Sequence, residues 1–171
     1  MKKRKLNFPF SNKKGNAVMD TLTIVIVLII FIFILMTLYP LFSDINVDVQ
    51  NDPDLPNATK EMVQTQFTNF PLTFDNLFLF MLALFWMLVL IASFMIDAHP
   101  IFFIVAVILI AVLVIVGAVI SNTYEELELD ADFDNFGDAF PTIHFFMEHI
   151  VAFILAIAFS VSFVLYAKLK G

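Results

Sequence analysis

Thr21–Ser43 reads TLTIVIVLIIFIFILMTLYPLFS and carries no charge. At ~1.5 Å per helical residue this run crosses a hydrocarbon core of ~30 Å. A cleaved signal peptide has a shorter apolar core followed by small residues. Here Tyr39, Pro40, Leu41 and Phe42 close the run, so an uncleaved signal anchor fits better.

Three more such runs follow, at about 76–96, 101–120 and 150–167. Only Asp97, Ala98, His99 and Pro100 separate the second from the third, which forces an antiparallel hairpin. Pro100 suits the first turn of the third helix, where a missing N–H costs nothing, and Asp97 is placed to cap that turn. The composition agrees. Of the 171 residues 61 % are hydrophobic and 15 % charged, against roughly 45–50 % and 25 % in soluble domains. The sequence predicts an all-α membrane protein with four transmembrane helices. Residues 1–20 form a basic tail and residues 21–171 one four-helix membrane domain. With no cysteine, disulfides and thiolate metal sites are excluded.

The net charge of −7 is unevenly spread. The N-tail holds Lys2, Lys3, Arg4, Lys5, Lys13 and Lys14, and the C-tail Lys168 and Lys170. The polar segments 43–75 and 121–149 hold the acids, with Lys60 as their single base. Four spans put both tails on one side, and the basic residues assign that side to the cytoplasm. Each outer segment also contains an amphipathic stretch. Val63, Phe67 and Phe70 follow Asn57, a candidate N-cap, and Phe133, Phe136 and Phe140 recur in the second segment. Both are expected to be short helices lying at the outer interface, aromatic side down.

Chemistry-bearing motifs are few. Asp130, Asp132 and Asp134 occupy the first three acidic places of a calcium loop, but Asn135 stands where Gly is needed and Pro141 where Glu is needed. His144, Glu148 and His149 are candidate metal ligands, although their spacing is one residue too long for a metalloprotease helix. His144 and Glu148 share a helical face. Mid-span ionisable residues, which pumps and transporters keep, are missing from all four spans. Small residues recur at Ala152, Ala156 and Ser160, and again at Gly117 and Ser121, the spacing that lets helix backbones approach. No nucleophile–base pair and no phosphate loop appears, so no cofactor and no enzymatic activity are expected.

Lys13-Lys14-Gly15-Asn16-Ala17-Val18-Met19-Asp20 ahead of an apolar run resembles the class III signal of prepilin-like proteins, with Asp20 where Glu is usual. That resemblance implies cleavage after Gly15. The chain as a whole resembles small polytopic membrane proteins of membrane-containing viruses. The phrases Ser43-Asp44-Ile45-Asn46-Val47-Asp48 and Phe94-Met95-Ile96-Asp97-Ala98-His99-Pro100 carry this likeness, which implies a structural component of a virion membrane. The expected function is a non-enzymatic membrane scaffold that packs laterally against other membrane or coat subunits or copies of itself. Its acidic face, with Asp130, Asp132, Asp134 and Asp138, would dock a basic partner rather than nucleic acid. The alternative is a holin-like permeabiliser, for which Thr23, Thr37, Ser93, Ser160 and Ser162 are the few in-span polar groups.

Overall fold

The computed structural model describes residues 17–95, 100–130, 133 and 135–170. The chain is helical, with no strand among the described residues. The elements are α1 (Ala17–Asn51), α2 (Asn57–Met95), α3 (Pro100–Glu128), α4 (Phe136–Ala139), α5 (Pro141–Glu148) and α6 (Ile150–Lys170). Three helices are long and apolar enough to cross a membrane. A fourth crossing exists if α5 and α6, bent by 75° at their junction, form one broken span. The basic tail up to Asn16, the site of the prepilin-like signal, lies outside the described residues, as do Asp97 and His99.

The helices outrun the bilayer. At ~1.5 Å per residue, the 35 residues of α1 and 39 of α2 reach about 52 and 58 Å. The excess lies on the acidic side, where α1 and α2 continue as an antiparallel pair and meet at residues 52–56. The first expected interfacial helix is therefore not a separate element. Val63, Phe67 and Phe70 belong to the acidic end of α2, where Asn57 is the first helical residue and not the cap, the Pro56 carbonyl accepting the N–H groups of Thr59 and Lys60. The aromatic side faces protein instead of lipid: Phe67 stacks on Tyr39 at 5.8 Å, and Phe70 meets Phe42 at 4.8 Å. With that face covered by α1, nothing interrupts the helix. Pro40 and Pro71 are both accommodated inside helices.

The turn between α1 and α2 is held locally. The Asp52 carboxylate accepts the Asp54 N–H at 2.9 Å. Gln50 Nε2 donates to the Lys60 carbonyl at 2.9 Å, and Lys60 Nζ returns a bond to the Gln50 carbonyl at 3.0 Å. The ammonium therefore sits on an orphan carbonyl at the C-terminus of α1, where the helix dipole favours a cation.

α2 packs on α1 and α6, and α6 on α3. Outward faces remain apolar and exposed, as at Ile30 and Ile34 of α1, Phe80 and Ile91 of α2, Ile115 of α3 and Phe159 of α6. In water such faces would be untenable, and in a bilayer they meet lipid chains. The large side chains with least exposure gather toward the acidic end: Ile32, Leu35, Met36, Phe78, Tyr124, Phe136, Phe140, Ile143, Met147 and Ile150.

Candidate functional site

The distinctive part of the molecule is this acidic end, where α4 and α5 fold back into the bundle. The backbone breaks at Phe140 between two short helices, α4 and α5, and Pro141 opens α5 at a position that needs no N–H. Phe136, Phe140, Ile143 and Met147 are fully buried. Phe136 and Phe140 stack at 4.6 Å, and both meet Tyr39 edge-on, at 6.4 and 5.4 Å. Phe140 also touches Phe70, and Phe136 touches Tyr124. The expected Phe133/Phe136/Phe140 stripe thus faces inward. A lipid interface would take only one side of these rings, whereas the bundle end encloses Phe136 and Phe140 completely.

One carboxylate anchors this segment. Asp75 of α2, only 7 % exposed, accepts the Thr142 N–H at 3.1 Å with each oxygen and the Ile143 N–H at 3.0 Å. Residue 140, the natural capping place, is Phe and has no side-chain acceptor. Asp75 does that work from 67 residues away, on the helix end where a negative charge is favoured.

A second polar cluster ties α3 to the same segment. His144 Nδ1 lies 3.0 Å from Glu128 Oε1 and 3.1 Å from the Tyr124 hydroxyl, and its Nε2 lies 3.4 Å from Glu148 Oε1. Burial first, then the Glu128 and Glu148 carboxylates, raise the Tyr124 phenol above its ordinary value, so it remains a donor, and Glu128 accepts from it. Gly137 lies against this cluster: a Cβ there would collide with Glu128 Oε1 and come within 3.1 Å of His144 Nδ1. The Ser121 hydroxyl, also buried, donates to the Met147 carbonyl at 3.0 Å.

The sequence-derived candidates divide. His144 and Glu148 come together. His149, half exposed, keeps its Nδ1 3.0 Å from the Phe145 carbonyl and 4.0 Å from Glu148. Among the described residues no three His, Asp or Glu side chains are arranged to hold a metal ion. Gly117 faces α6, where an added Cβ would stand 2.6 Å from Ile154 Cδ1. The small residue on α3 thus receives a large residue from α6. Ala152 is exposed, and Ala156 and Ser160 are half buried. Asp130 and Asp138 are exposed, while Asp132 and Asp134 lie outside the described residues.

Comparison with protein families, with curated proteins and with solved structures finds no match to this chain. Asp75, Tyr124, Glu128 and Gly137 are the site residues that sequence reasoning passed over. One signal was available: Pro141 announces a helix start, yet Phe140 before it cannot cap. The missing acceptor had to come from elsewhere in the fold.

Proposed function

We propose that this multi-pass membrane protein is a non-enzymatic scaffold with both termini in the cytoplasm, acting through its lipid-facing helix sides and its acidic outer face. One observation carries the reading. Three of the five in-span hydroxyls are bonded back to their own helices: Thr37 donates to the Phe33 carbonyl, Ser93 to Val89 and Ser160 to Ala156, at 2.7–2.9 Å. A water-filled pathway needs such groups facing a lumen. The aromatic packing of α4 and α5 across the outer end supports the same reading. So does the employment of Asp75, which serves as a cap. Exposed Glu125, Glu126 and Asp130 give the outer face a charge suited to a basic neighbouring subunit. A structural place in a virion or envelope membrane is proposed on the sequence resemblance alone.

Dye-loaded liposomes test the function. The scaffold reading expects no leakage when the protein is reconstituted, and rapid leakage would replace it with the permeabiliser. Single cysteines at Asn51, Asp97 and Asp134 test the orientation. Reagent added outside should reach Asn51 and Asp134 but not Asp97, and labelling of Asp97 alone would reverse the topology. Neutralising Asp130, Asp132 and Asp134 together as Asn should weaken co-purification of basic partners and flatten its salt dependence. An unchanged partner set with unchanged salt sensitivity would remove the docking role.

A further inference from the structure

Outside the aromatic layer, α1, α2 and the segment leading through α4 leave an open groove of about 780 Å³, within the size range of small-ligand sites. Tyr39 and Phe67 contribute aromatic walls, and Asp44 and Asp138 are its ionisable carboxylates among the described residues. Among the described residues no Lys, Arg or His lines it. Such a site is built for a cation with an apolar body, since aromatic faces and carboxylates both attract positive charge.

Its depth narrows the choice. On α1 the groove begins where the charge-free run ends, Asp44 being the first charge after Asp20, so it lies at the level of lipid headgroups. A continuous apolar track leads up to it. Ile30, Ile34, Leu38 and Leu41 are 54, 51, 36 and 54 % exposed, they follow one face of α1, and Leu41 itself lines the groove. Along α1 the order is therefore acyl-compatible side chains, then the Ser43 hydroxyl, then a carboxylate. A zwitterionic phospholipid has the matching order of acyl chain, phosphate and ammonium.

We propose that the groove holds the alkylammonium headgroup of a zwitterionic phospholipid, with Tyr39 and Phe67 beside the cation, Asp44 and Asp138 as counter-charges, and an acyl chain on the Ile30–Leu41 track. A basic helix of another protein could satisfy the carboxylates, but it would leave the lower part of that track to lipid in any case. A phospholipid fills both parts with one molecule.

The full-length protein, taken into mixed micelles with equal amounts of phosphatidylcholine and phosphatidylglycerol of identical acyl chains, tests this by native mass spectrometry of retained lipid. The expected result is retention of phosphatidylcholine over phosphatidylglycerol by about fivefold, a modest ratio for one partly solvated cation site. The double variant Asp44→Asn, Asp138→Asn should bring the ratio close to one with unchanged helicity and melting temperature, because both side chains are exposed. The double variant Asp48→Asn, Glu61→Gln makes the same charge change outside the groove and should keep the parent ratio. The assignment is overturned if the parent shows no preference or prefers phosphatidylglycerol. It is equally overturned if the groove variant keeps the ratio, if the control variant loses it as fully, or if a basic protein instead of lipid remains bound.

Discussion

The two acidic segments contain the same ingredients and fold in opposite ways. Between residues 43 and 75 the helices run straight on, α1 and α2 pairing until the turn at 52–56. Between 121 and 149 the chain leaves α3, breaks twice and pushes α4 and α5 into the end of the bundle. Both carry Phe at helical spacing and both are crowded with carboxylates. The difference lies in where the helices stop. In the first segment Pro53 and Pro56 cluster at the turn, and Pro71 sits inside α2 without ending it, so the apolar faces on either side of the turn stay continuous. In the second, the helix stops at Phe140, just ahead of Pro141 and among the aromatic residues, which divides the stripe into pieces short enough to turn inward. Density of charge decides neither outcome. Each segment instead spends one polar side chain on a helix end: Lys60 on the C-terminus of α1, and Asp75 on the N-terminus of α5.

The contrast breaks most completely at Asp75. Removing it as Asp75→Ala leaves the buried N–H groups of Thr142 and Ile143 without their acceptor. Bonds to a charged group and the stranded buried donors together put the loss at about 3 kcal/mol. The melting temperature in detergent should fall further than for any other single polar substitution in the acidic half. Asp75→Asn, which keeps one acceptor oxygen, should recover part of it. An Asp75→Ala protein that melts like the parent would show that α5 is held by its aromatic residues alone.

Gly137 tests whether close approach holds the second segment. Gly137→Val drives a side chain into Glu128 and His144 and should cost about 2 kcal/mol by overpacking. The matched change in the first segment, Ala58→Val, lies on an exposed first turn of α2 and should stay within about 0.5 kcal/mol. Equal losses at the two positions, read from denaturant or thermal melts, would erase the distinction between a folded-in segment and a straight hairpin.

Asn46 sharpens the comparison from the other side. It is 8 % exposed, and its Oδ1 has no hydrogen-bond partner among the described residues. A buried unsatisfied acceptor is a net loss, so Asn46→Leu should raise stability by about 1 kcal/mol. A lower melting temperature would mean that the α1–α2 pair depends on this amide.

Much of this was legible in the sequence, for identifiable reasons. Uninterrupted apolar runs such as Thr21–Ser43 have one physical solution in a bilayer, so an all-helical membrane fold could be read directly. The helix-facing position of Gly117 follows from local chemistry. The segregation of Phe67, Phe70, Phe136 and Phe140 into the protein interior did not. An aromatic stripe has the same period whether lipid or another helix covers it, and the covering residues, Tyr39 for Phe67, Phe136 and Phe140 and Phe42 for Phe70, are remote in sequence from the rings they cover. The same holds for Asp75. In the sequence it is one acid among many, and only the uncapped start at Phe140–Pro141 hints that some carboxylate must reach it.

The smallest expected effect belongs to Lys60, and it asks whether the two segments are independent. Its ammonium donates to the Gln50 carbonyl while Gln50 donates back to the Lys60 carbonyl. Lys60→Met keeps the apolar stem and removes the charge. A half-exposed cation at a helix C-terminus contributes about 0.5 kcal/mol, so the global melting temperature should barely move. Hydrogen exchange should show the change locally, with faster exchange at Gln50 and Asn51 as the last turn of α1 frays. The amides of Thr142 and Ile143 are held by Asp75 through a separate set of contacts and should exchange as in the parent. If they quicken together with the α1 terminus, the hairpin and the folded-in segment open as one unit, and the two acidic segments are halves of a single cooperative cap.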